Sequence, residues 1–152
     1  MRVLALIAAA AIAASLAVAT QSTANAAPPV AVSIQIMPTT FFPVELGTWS
    51  ASGAISDSGT YVRTEVDATG SIPSCPCAPE HTGAFKEVFV LTGSQGTLTV
   101  KEEALLRTSG VTGVWQITSG TGAYERASGH GTDVFFGPPL TLELSGVISK
   151  AE

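Results

Sequence analysis

Basic side chains are scarce in this sequence. Seven Lys and Arg stand against 12 Asp and Glu, giving a formal net charge of -5 at pH 7, and the basic residues form no cluster. Nucleic-acid binding needs cations that displace counterions from phosphates, so nucleic acid is excluded as a partner, and anionic membrane surfaces are disfavoured for the same reason. Histidine is limited to His81 and His130, and cysteine to Cys75 and Cys77. Neither histidine sits in a hydrolase motif and no Gly-x-Ser-x-Gly elbow occurs, so a serine nucleophile lacks its base. A Gly-Lys-Ser/Thr phosphate loop is also missing. Beyond residue 26 no segment keeps an apolar period of 3.6, which limits helix to a turn or two. No cofactor is expected.

What is present begins with a leader. Arg2 precedes a small and apolar run from Val3 to Ala19, then a polar stretch ending in Ala24-Asn25-Ala26. This pattern predicts a secretory signal peptide over residues 1–26, cut after Ala26, and a secreted, extracellular protein with no membrane attachment after the cut. Residues 27–152 then form a single domain, long enough for one core and too short for two.

All 15 glycines lie after residue 46, separated by short runs rich in Val, Ile, Thr, Phe, Tyr and Trp. That punctuation predicts strands near 30–37, 47–56, 59–68, 83–92, 96–106, 112–119, 128–136 and 139–149. Leu140, Leu142 and Leu144 alternate with Thr141, Glu143 and Ser145, so one face of the last strand is buried. In the 83–92 strand, Phe85, Phe89 and Leu91 share one face while Val88 and Val90 occupy the other, which predicts cover on both sides and a homo-oligomer contact outside. Residues 70–82, GSIPSCPCAPEHT, contain three prolines and read as a rim loop. Eight antiparallel strands leave a closed barrel or a two-sheet sandwich, and periodicity does not choose between them.

Residues 113–131 read GVWQITSGTGAYERASGHG. An aromatic and apolar strand leads into Gly-Thr-Gly, an aromatic follows, and a further Gly precedes the next strand. This run resembles the signature of the barrel superfamily that includes dirigent proteins and allene oxide cyclases, and secreted bacterial proteins look similar over the same region. The resemblance implies an eight-stranded antiparallel β-barrel with an interior cavity, often trimeric in the plant members. It transfers no catalytic residue, and the N-terminal strand VAVSIQIMP carries no carboxylate.

The glycines of the same run are not a dinucleotide fingerprint, because Glu125 stands where the third glycine belongs and would repel phosphate. Gly120 and Gly122 are expected to take positive φ at a strand end, with Tyr124 packed against the barrel mouth. His130 is expected to be an exposed residue at a strand start. Cys75 and Cys77 are expected to pair as a disulfide; a free or intermolecular thiol, or a metal held with His81, are the alternatives, and a three-residue set in a proline-rich loop assigns no metal site.

The candidate acids are Glu87, which shares a face with Phe85 and Phe89, and Glu102, which shares one with Leu98, Val100 and Ala104. A carboxyl in an apolar cavity has a raised pKa and can move a proton. Alternatively, a β-bulge near Glu102 and Glu103 turns both outward, the reading favoured by the cost of burying a charge. Arg63 and Glu65, on the Tyr61 face, are either partners for the buried acids or part of a solvated wall. Phe89, Trp115 and Ile117 are the expected ligand-contacting wall residues. Three functions follow: a binder of an apolar small molecule, an isomerase or cyclase using Glu87 or Glu102, or a protein-interaction module of the cell envelope.

Overall fold

The computed structural model describes residues 28–70, 83–107 and 109–150. Eight strands run β1 (Val30–Thr40), β2 (Leu46–Gly53), β3 (Asp57–Gly70), β4 (Gly83–Gly93), β5 (Thr97–Arg107), β6 (Gly110–Gly120), β7 (Ser128–Phe136) and β8 (Thr141–Ser149). Each pairs antiparallel with the next, and β8 returns to β1, closing the sheet into an up-and-down barrel. The sandwich is thereby excluded. Every predicted strand is found, β7 at the expected bounds.

Alternation along the strands fills the interior. Ile34, Trp49, Leu91, Leu98, Val100 and Leu144 are all buried and form one apolar cluster. Each such side chain contributes roughly 1.5–3 kcal/mol through removal of apolar area from water. Each tryptophan reaches over the adjacent strand to a glycine two strands away that leaves room for it. A methyl at Gly93 would sit 2.8 Å from the Trp49 ring, and one at Gly146 would sit 2.8 Å from the Trp115 ring. Their indole N–H groups donate to backbone carbonyls: Trp49 to Thr92 at 3.1 Å, and Trp115 to Thr132 at 3.1 Å and Ser145 at 3.3 Å. A large apolar ring is thus buried with its polar edge satisfied.

One end of the barrel is shut. A short 3₁₀ turn, Gly122–Tyr124, follows β6, and Tyr124 is fully buried. Gly122 takes φ +61° as expected, whereas Gly120 does not have positive φ. Gly120 is needed for space instead, since a methyl there would meet the Tyr124 side chain at 2.9 Å. Asp57, at the start of β3, gathers this end together. Its carboxylate accepts from the Ser58 N–H (2.9 Å), the Ser94 N–H (3.1 Å) and hydroxyl (2.8 Å), the Gln95 N–H (3.2 Å) and the Tyr124 hydroxyl (2.9 Å). Burial pushes the Asp57 pKa up, but these donors prevail and hold it well below the usual carboxylate range.

Candidate functional site

At the opposite end the core stops short of the rim. A cavity of about 280 Å³ remains, near the lower limit of the ~300–1,000 Å³ common for ligand pockets. Phe85, Val111, Phe135 and Leu142 form apolar wall, and Phe41, Phe42 and Val66 stand at the mouth. Phe42 is 80% exposed and Val66 51%. The deeper lining is ionisable: Glu45, Arg63, Glu87 and Glu102, beside Phe89.

The strand registers explain how these groups meet. Glu87 and Glu102 are cross-strand partners on β4 and β5, and both point inward. The bulge expected at Glu102 and Glu103 is not there. Pairing runs unbroken through Glu102–Trp115 and Glu103–Val114, and the register shift lies between Thr99 and Val100. Glu102 is therefore 1% exposed, while Glu103 is outside with Lys101 (3.0 Å) and Lys86 (3.6 Å). The bulge that does redirect side chains is on β3, between Arg63 and Glu65. Arg63 stays inside and pairs with the acids; Glu65 is turned to the exposed outer wall.

Arg63 Nη1 lies 2.7 Å from Glu45 Oε2 and 2.6 Å from Glu87 Oε1. Tyr61, held edge-to-face against Phe89 with ring centroids 5.8 Å apart, donates its hydroxyl to Glu45 Oε1 at 2.8 Å. Glu45 precedes β2 and is fixed by its backbone as well, its carbonyl accepting the Arg63 N–H at 2.9 Å. One guanidinium thus serves two carboxylates. Burial pushes the Glu45 pKa up against the pull of Arg63 and Tyr61. Burial also raises Glu87 to about 7, with Arg63 pulling down and Glu45 pushing up.

Asp133 on β7 joins from behind. It faces β6 opposite Gly113, whose partner on the other side is Ala104 of β5. A methyl at Gly113 would lie 2.7 Å from Asp133 Oδ1 and 2.7 Å from Ala104 Cβ, so the missing side chain leaves the gap through which Asp133 and Glu102 interact. With both ionised, Glu102 Oε2 and both Asp133 oxygens are buried without a donor. A proton held between the two carboxyls supplies one. Burial, then Asp133 and Glu87, raise the Glu102 pKa well above the ordinary value; burial raises Asp133 as well, against its hydrogen bond to Glu102.

Of the expected wall residues, Phe89 lines the cavity and the other two do not. Trp115 lies over Gly146, and Ile117 is half-buried above Gly129. His130 is exposed on β7. Cys75, Cys77 and His81 fall outside the described residues. Val88 and Val90 are half-buried on the outer wall, Val88 between Glu65 and Lys101 and Val90 between Val62 and Thr99. More exposed apolar side chains stand elsewhere on that wall, among them Val114 and Phe136.

Fold and site together define a closed up-and-down barrel, packed at one end and holding an acidic, apolar-mouthed cavity at the other. No protein-family model, no curated protein and no solved structure matches the chain.

Proposed function

We propose that this chain is an exported binding protein that takes a small, largely apolar molecule into the open end of its barrel. The observation that carries the reading is the cavity of about 280 Å³ with an exposed aromatic entrance, in a barrel whose core is otherwise a cluster of buried apolar side chains among the described residues. Apolar walls with a few convergent polar groups are the usual composition of small-molecule sites. The leader in residues 1–26 supports export. Titration calorimetry against a panel of small apolar alcohols, amines, acids and ketones tests it. Saturable one-to-one binding by at least one class is expected, and a panel with no binder overturns the reading.

A second reading is favoured by Glu87, whose pKa of about 7 suits proton exchange at neutral pH. In it the protein is an isomerase or cyclase, with Glu87 or Glu102 moving a proton on an apolar substrate. Incubating the protein with enones and epoxides in deuterated water checks this by mass spectrometry. Deuterium uptake or rearrangement that disappears in Glu87→Gln and Glu102→Gln supports catalysis; inert substrates with the unaltered protein leave only binding.

A further inference from the structure

We infer that the occupant of this cavity is a cation, an apolar molecule bearing one protonated amine, and that Glu102 receives it. The inference rests on the ligand-binding reading and specifies its chemistry. Four carboxyl groups, Glu45, Glu87, Glu102 and Asp133, gather around a single guanidinium, and Arg63 is already shared between the first two. Among the described residues no basic side chain faces Glu102 from β4, β6 or β7: its cross-strand partners are Glu87 and Trp115, and Asp133 reaches it from behind.

Three buried oxygens on Glu102 and Asp133 lack donors. One of the three, Oε2, belongs to Glu102 and the other two to Asp133. Of the pair only Glu102 lines the cavity, so its Oε2 is the one of these acceptors that a ligand can reach. An ammonium carries donors and positive charge together, which is what a buried acceptor set with excess negative charge binds best. The walls around it, Phe85, Val111, Phe135 and Leu142, require the remainder of the molecule to be hydrocarbon. Among the described residues, no three of the acidic groups are arranged to hold a metal ion, which favours an organic cation. An ammonium in the cavity favours the ionised forms of the carboxyls that line it, so binding releases protons held by the empty site, Glu87 foremost, while Asp133 keeps the proton that its own buried oxygens require.

Octylamine, octanol and octanoate share one tail and differ in the head group, and their affinities by titration calorimetry test the inference. Octylamine is expected to bind about tenfold more tightly than octanol, the difference expected of a charge-assisted hydrogen bond, and octanoate most weakly. The affinity of octylamine is expected to rise from about pH 5 to about pH 8 as Glu87, raised to about 7, ionises in the cavity, while that of octanol stays level. Heats measured in buffers of different ionisation enthalpy report the released proton. In Glu102→Gln, checked for folding by near-UV circular dichroism, the preference for the amine is expected to collapse. Equal binding of amine and alcohol, preference for octanoate, or a Glu102→Gln variant that keeps the preference each overturns the cation inference and leaves the binding reading standing. If Glu102→Gln does not fold, the pH profile and proton release of the unaltered protein decide, and a flat amine profile overturns the inference. Failure of all three probes to bind overturns both readings.

Discussion

Raising the pH from about 5 to about 8 destabilises the barrel, and Glu87 alone sets a measurable part of the loss. Its carboxyl, ordinarily near 4.5, is raised to about 7 in the folded chain. Between those values the unfolded chain has released a proton that the folded chain keeps. The folded state binds more protons, so stability is fully present below the unfolded pKa and is lost as pH rises through the folded one. At ~1.4 kcal/mol per pH unit the gap amounts to about 3 kcal/mol. No large discount for solvent applies, because the Glu87 side chain is only 12% exposed. Glu45, Glu102 and Asp133 are raised too and act with the same sign. Asp57 acts oppositely: its lowered pKa gives stability above its ordinary 3.8 that disappears in more acid solution. The stability optimum therefore falls near pH ~4–5, below the ~5–8 common for globular proteins.

Urea unfolding followed by the fluorescence of Trp49 and Trp115, both buried, measures this directly. Against a typical total of about 5–15 kcal/mol, a loss of about 3 kcal/mol moves the midpoint clearly at constant slope. Glu87→Gln, which keeps an acceptor for Arg63 but cannot ionise, is expected to flatten the profile by about that amount. A midpoint that holds steady or rises between about pH 5 and about pH 8 refutes the linkage, and a Glu87→Gln profile as steep as the original refutes its assignment to Glu87.

The other predictions concern both ends of the barrel. Asp57→Ala removes the acceptor of five hydrogen bonds and is expected to cost roughly 3 kcal/mol in urea unfolding, with Tyr124→Phe costing about 1–2 kcal/mol; the double variant is expected to cost less than the sum of the two single variants. Gly113→Ala forces a methyl between Asp133 and Ala104 and is expected to destabilise by about 1–3 kcal/mol in thermal melts. Phe42→Ala, at the exposed mouth, is expected to weaken octanol binding severalfold while leaving stability within about 0.5 kcal/mol. Glu102→Gln is expected to raise the melting temperature near pH 8 and to change it little near pH 5, because the carboxyl it replaces is protonated at the lower pH; a lower melting temperature at both would show that Glu102 stabilises as a charged group.

The strands were legible because glycine punctuation and alternation are local signals, and β5 shows how far alternation alone reaches. Leu98, Val100, Glu102, Ala104 and Leu106 share one parity, and all five are buried. The cost of an isolated buried charge favours turning Glu102 outward, but the group is an acid paired with another acid, 31 positions distant in sequence, through the gap at Gly113. Asp133 offered a weaker signal. It shares parity with Phe135 and Gly131, but Val134 and Phe136 make the other face of β7 equally apolar, and parity cannot say which face is inside. Arg63 and Glu65 were separable only by a bulge that leaves no mark in composition. Glu45 lies just before β2 and Asp57 at the first position of β3, where no period applies; the partners of Glu45 come from β3, and those of Asp57 from the β4–β5 turn and Tyr124.

The division between the two ends has an energetic logic. Buried acids with raised pKa values destabilise a fold, and here they are confined to the half of the barrel where side chains leave a cavity. From Trp115, level with Glu102 at mid-barrel, to the other end, Trp49, Trp115 and Tyr124 are each essentially inaccessible to solvent, with the carboxylate of Asp57 tying together the turns that close that end. Burial of three such rings, at roughly 1.5–3 kcal/mol or more each, is comparable with or larger than the cost of the ionisable cluster. A filled, cross-tied end can therefore hold the wall strands in register while the open end keeps acceptors that its own residues do not satisfy. Neutralising those acceptors should make a more stable barrel and a poorer receptor, the opposition expected where a site is maintained for what it binds.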